Sequence, residues 1–248
     1  MNNYKTQLNR IFNEEIYTSK DKVNLTNALN INNKPTQEVN EQLNNANKHK
    51  ITHIHINDSK LDDETYKALA KYPNLQVLNL ESTNITSNEL KYLQPLIYIK
   101  ELYIGITKIT SEGLRYLTTL PNLATLHLNS TKITDEGLRH LQPLQKLQVL
   151  NLYNTKITDE GLRYLATLKN LTNLSLVSTK ITDKGLRAFT TYPSLQILRL
   201  SYSSITDNGI KTIATYPNLT KLYIYNTKMT DEGIQQLKET LQNTKVFT

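Results

Sequence analysis

Apolar residues recur along this chain with a period of 24. Laid out from Ile51, eight units begin at positions 51, 75, 99, 123, 147, 171, 195 and 219. The unit that starts at Leu147 reads LQVLNLYNTKITDEGLRYLATLKN. Unit positions 1, 4, 6 and 11 are apolar throughout; position 11 runs Leu61, Ile85, Ile109, Ile133, Ile157, Ile181, Ile205, Met229. Positions 16, 19 and 22 follow suit, except at Thr240, where Leu241 falls one place late. Positions 4 and 6 carry the two-residue period of a strand. Positions 16, 19 and 22 carry the three-to-four-residue period of a helix. Each unit therefore reads as a short strand, a turn and a helix of about ten residues. Thr134-Asp135-Glu136 places a capping hydroxyl before acids in the first helical turn, and Asp159, Asp183, Asp207 and Asp231 repeat the device. Prolines near the unit ends, such as Pro73, Pro121 and Pro217, stop the helices.

One such unit cannot bury its own apolar edge, so the units must stack, with strands in parallel about 4.8 Å apart. Position 9 is Thr or Ser in every unit, from Ser59 through Thr155 to Thr227. The expectation is a buried column of hydroxyls bonding the turn backbones of neighbouring units. Six of the seven glycines (Gly113, Gly137, Gly161, Gly185, Gly209, Gly233) occupy position 15, where a small residue lets each helix start sit close to its neighbour.

The pattern LxxLxLxxTxITDxGLxxLxxL resembles the leucine-rich-repeat family, in a bacterial variant with Thr where many relatives have Asn. The resemblance covers residues 51–242. It implies an α/β solenoid, a curved arc with parallel strands on the concave face and helices on the convex face. It also implies a concave surface that binds another protein. The Asn-rich, Lys-rich composition is similar to that of leucine-rich-repeat effectors delivered to host cytosol by intracellular bacteria.

Residues 1–50 differ: thirteen of them are Asn. Tyr4–Tyr17 places Leu8, Ile11, Phe12 and Ile16 on one helical face, and Thr36–Asn47 does the same with Val39, Leu43 and Ala46. The expected domains are an N-terminal helical cap over 1–50, eight repeats over 51–242 and a capping strand over 243–248. A separate docking segment is the other reading of residues 1–50.

Composition narrows the chemistry. There is no cysteine, so disulfides, thiolate metal sites and cysteine nucleophiles are excluded, including the cysteine domain of a ubiquitin-ligase effector. No phosphate-cradling glycine loop can be assembled. No cofactor is expected. His53 and His55 lie on one strand face and could begin a zinc site, but His127 is three units away, and an exposed polar pair is the expected reading. No run is apolar and long enough for a membrane helix, and residues 1–20 carry Asn13, Glu14 and Glu15 where a leader needs apolar residues. The expected location is the bacterial cytoplasm, with delivery to a host cytoplasm following from the effector resemblance.

The net charge is +7. The bases fall in two columns, at position 10 (Lys60, Lys108, Lys132, Lys156, Lys180, Lys228) and position 17 (Lys67, Lys91, Arg115, Arg139, Arg163, Arg187, Lys211). They could track phosphates, but Asp135–Arg139 and Asp159–Arg163 have i,i+4 spacing, which suits ion pairs on a solvated helical side. Nucleic acid is therefore not the expected partner.

Positions 3, 5, 7 and 8 point off the strands into the hollow. A merely wet surface would be Ser, Asn, Lys and Glu. This one carries Glu101, Tyr103, Tyr153, Val177, Ile197, Arg199, Tyr202, Lys221, Tyr223 and Tyr225, gathered towards the C-terminal half. Tyr and Arg are the side chains enriched in binding hot spots. The function expected is non-enzymatic protein binding by a monomer, the partner being a host protein or an effector enzyme whose active site is covered. An adaptor recruiting substrates to a ubiquitin ligase is the alternative, and a basic nucleic-acid binder the third reading.

Overall fold

The computed structural model describes residues 27–188 and 192–248. Ten three-residue strands form one parallel sheet in sequence order. They are β1 (Ala28–Asn30), β2 (His53–His55), β3 (Val77–Asn79), β4 (Glu101–Tyr103), β5 (Thr125–His127), β6 (Val149–Asn151), β7 (Asn173–Ser175), β8 (Ile197–Arg199), β9 (Lys221–Tyr223) and β10 (Lys245–Phe247). From β2 to β9 the register advances by 24 residues per step, so residues of one unit position stand side by side.

The core is the set of apolar columns. Leu126, Leu128, Ile133, Leu138 and Leu141 of one unit have no exposed surface, and the equivalent residues of its neighbours join them in one continuous cluster. Beyond the strands, the position-8 residue of every unit adopts a left-handed conformation, with φ between 50° and 57°. This turns the chain away from the sheet and keeps one more bond in line, as in Ile106 N–H to Asn129 O at 2.7 Å.

The helical side is thinner than the sequence period suggests. In place of uniform ten-residue helices stand short α-helices, such as Asp159–Leu165, and 3-10 segments at Glu89–Leu93 and Ser111–Thr119. Packed α-helices ordinarily lie about 8–10 Å apart, nearly twice the strand spacing, so slim segments suit the stack.

Polar side chains stitch the units together at the helix starts. Asp135 accepts the Thr158 N–H at 2.8 Å and its hydroxyl at 2.6 Å; Asp159 does the same for Thr182, and Asp183 for Thr206. Ser87 and Ser111 take this part towards Thr110 and Thr134. The position-15 glycines make the room: a Cβ on Gly161 would collide with Asp135 Oδ1, and one on Gly185 with Asp159 Oδ1. The acids were expected to pair with arginines four residues on. They are held by the next unit, and the arginines pair instead with glutamates three residues back: Arg139–Glu136 and Arg163–Glu160, both at 3.2 Å.

The position-9 hydroxyls also bond differently from expectation. Thr155 donates to Leu152 O at 2.7 Å within its own unit, and Thr83, Thr107 and Thr131 do likewise. From Thr83 to Thr179 the column locks each turn within its own unit; at the N-terminal end Ser59 does bridge units, its hydroxyl oxygen accepting the Lys34 N–H at 3.2 Å. Thr155→Val keeps the shape but leaves the buried Leu152 carbonyl without this donor. A loss of about 1–3 kcal/mol in chemical denaturation is expected.

Towards the N-terminus, the helix placed at Tyr4–Tyr17 lies outside the described residues. The helix Thr36–Asn45 is present, with Val39 and Leu43 buried. The segment is not purely helical: β1 pairs with β2, and Asn33 repeats the left-handed turn. Residues 27–50 thus form a degenerate strand–turn–helix unit, which the Asn-rich sequence disguised. At the other end β10 pairs in parallel with β9.

Candidate functional site

The strand face carries side chains in columns because the register never slips. After half-buried His55, the next seven residues of column 5 are Asn79, Tyr103, His127, Asn151, Ser175, Arg199 and Tyr223. All seven are buried, although they point away from the core. Neighbours about 4.8 Å apart on either side, with the flanking columns 3 and 7, close over them.

The contacts are specific. The Tyr103 hydroxyl donates to Glu101 Oε2 at 2.5 Å, and its ring meets His127 edge-on with centroids 4.6 Å apart. Arg199 donates from Nη1 to Asn173 Oδ1 at 2.5 Å and lies 4.9 Å from the Tyr223 ring centroid. Tyr223 stacks on Phe247 at 4.3 Å with planes 2° apart. Above this layer Tyr153 and Val177 form a second small apolar cluster, with Tyr202 packed on it.

The residues singled out from sequence therefore divide in two. Tyr103, Tyr153, Val177, Arg199 and Tyr223 are buried. Glu101, Ile197, Tyr202 and Lys221 are half-buried, and Tyr225 is 38% exposed. Arg199 and Tyr223, expected to point into the hollow as part of the binding surface, are not presented there. Arg199 is 2% exposed, and both are committed to intramolecular contacts. They hold the surface, while Tyr225, Tyr202, Ile197 and Lys221 present it. Phe247 was missed because the last unit departs from the repeat; its place in column 5, opposite Tyr223, was the available signal.

Electrostatically the face is quiet. His127 has no exposed surface, and neither ring nitrogen has a protein hydrogen-bond partner. Burial, with a lesser push from the positive charge of Arg199, lowers its pKa to about 3. Burial also lowers His53 and His55. Among the described residues no group of three His, Asp or Glu side chains is placed to hold a metal ion.

Comparison with known proteins follows the same geometry. A family model described as a leucine-rich repeat matches residues 119–141, 144–166, 167–189 and 193–214. The matched segments within 119–214 are leucine-rich repeats, and the same 24-residue register runs from β2 to β9. A crystal structure of an internalin (inlF) from Listeria monocytogenes is similar at 25% identity and a TM-score of 0.63, covering 86% of this chain and 67% of that one. Internalin C2 from the same species is 23% identical, with a TM-score of 0.60, covering 82% and 80%. No match was found among curated proteins. The leucine-rich-repeat match supports a protein-interaction module, and the internalin neighbours share its fold. No helix among the described residues is long and apolar enough to cross a membrane.

Proposed function

We propose that this leucine-rich-repeat chain is a non-enzymatic binding module that takes a partner protein on its strand face. The partner surface is centred on Tyr202, Tyr225, Ile197 and Lys221. The observation that carries this reading is the second apolar cluster: Tyr153, Val177 and Tyr202 pack outside the main core, on the side a merely wet surface would leave to short polar residues. Beneath it the contacts of Arg199 and Tyr223 keep the surface rigid, which lowers the ordering cost of binding. A rigid face of this kind suits occlusion of a host protein or of a bacterial effector enzyme by covering its active site.

Affinity capture with mass spectrometry identifies the partner, and calorimetric titration tests the face. Tyr225→Ala is expected to weaken binding by about 2 kcal/mol, in the range of aromatic hot spots, with little change in thermal midpoint. Arg139→Ala on the helical side is a control worth about 0–1 kcal/mol, since its ion pair is exposed. Loss of binding in the Arg139 variant with retention in the Tyr225 variant would place the site on the helices and overturn the proposal.

A further inference from the structure

Residues 99–194 hold twelve basic side chains against seven acids, the greater part of the chain's positive charge. All seven acids have partners inside the chain. Glu101 accepts from Tyr103; Glu112, Glu136 and Glu160 pair with arginines; Asp135, Asp159 and Asp183 cap the next unit's threonine. The position-17 arginines of three units are thereby neutralised, but the position-10 lysines are not. Lys108, Lys132, Lys156 and Lys180 are exposed, occupy four consecutive units, and form no ion pair with any described residue.

The backbone holds these lysines in a row. Lys132 N–H bonds Ile109 O at 3.0 Å, Lys156 bonds Ile133 O at 3.1 Å, and Lys180 bonds Ile157 O at 3.0 Å, alongside parallel bridges from Thr110, Thr134 and Thr158. Four ammonium groups thus follow one rim of the sheet at strand spacing, over roughly 14 Å. Ile106 begins the row. It is 44% exposed, two residues before Lys108, with buried Thr107 between them. Its φ of 55° is a conformation that disfavours β-branched residues. Seven of the eight other units place Asn, Asp or Ser there, so the fold gains nothing from isoleucine.

We propose that this rim docks an acidic polypeptide segment, its carboxylates on Lys108, Lys132, Lys156 and Lys180 and an apolar side chain on Ile106. The row matches about five residues of extended chain. Nucleic acid fits less well. No aromatic ring lies among positions 8 to 10 of these four units, so bases would have nothing to stack on, and Ile106 would meet no apolar partner.

The test uses fluorescein-labelled synthetic probes in anisotropy titrations at about 50 mM salt, where screening is weak. The probes are a glutamate peptide of about twelve residues, the same peptide with leucine at every fourth position, and an oligothymidylate of equal length. The leucine-bearing peptide is expected to bind best. The joint variant K108Q/K132Q/K156Q/K180Q should bind it at least about tenfold more weakly, whereas R115Q/R139Q/R163Q should bind it nearly as the parent does. Ile106→Asn should remove the advantage of leucine over plain glutamate while raising the thermal midpoint. The proposal is overturned if neither peptide binds, if the oligothymidylate binds more tightly than both, or if the arginine variant loses as much as the lysine variant. Thermal melts of each variant separate lost binding from lost fold. The probes do not need the strand-face partner, so failure here leaves that proposal standing.

Discussion

A chain beginning at residue 51 is expected to aggregate, or to melt far below the full-length protein. Residues 27–50 supply the strand that pairs with β2 and the helix that covers the first full unit. Ile31, Val39 and Leu43 are fully buried there, and the Tyr72 hydroxyl donates to Leu43 O at 2.6 Å. Asn40 bonds both Asp62 and Thr65 at the next helix start. Removal would uncover Ile54, Ile56, Leu69 and Tyr72, all fully buried in the full chain, and leave β2 as an unpaired edge. At about 1.5–3 kcal/mol for each of these four large apolar side chains, the loss would be at most about 6–12 kcal/mol. That is comparable to the whole stability of a typical domain. Unpaired edges with apolar faces also recruit other chains. Light scattering after gel filtration and a thermal melt decide the matter. A monomeric 51–248 fragment as stable as the parent would show that residues 27–50 do not shield the core, and would favour a docking role for them.

The repeat was legible because its signals are redundant. Position 11 alone is apolar in all eight units, and the switch from a two-residue to a three-to-four-residue period fixes strand and helix without further help. Gly161 and its equivalents were correctly read as spacers, although what they make room for, the aspartate or serine of the preceding unit, needed coordinates. Residues 27–50 were read only as helix because Ala28, Leu29 and Asn30 are too few to announce a strand. They become one by pairing with β2. The strand face was legible as a list of residues but not as a surface. Sequence places Arg199 and Tyr225 on the same side of the sheet, yet only the lateral crowding of columns shows that the first is buried and the second exposed. The lysine row was visible as a column. That its charge is uncompensated emerges only when every neighbouring acid is seen to have a partner.

His127 should make the protein acid-sensitive. Its pKa is held at about 3 in the folded chain by burial and by the charge of Arg199, against an ordinary value of 6.5 once unfolded. Above pH 6.5 both states are neutral at this group and it contributes no pH dependence. Between pH 6.5 and 3 the unfolded chain binds a proton that the folded chain does not, so stability falls as the pH falls, by about 1.4 kcal/mol per unit. Below pH 3 the decline from this group ends. His53 and His55 are lowered also and add smaller contributions of the same sign. His127→Leu removes the titration together with two buried ring nitrogens that have no protein partner, so stability at pH 7.5 should be unchanged or higher. Chemical denaturation at pH 7.5 and 4.5 is the measurement. The parent should lose about 2–3 kcal/mol more than the variant over that interval. Parallel losses in the two proteins would mean that the imidazole takes up its proton in the folded state, and that the space between Tyr103 and Asn151 admits charge more readily than its burial implies.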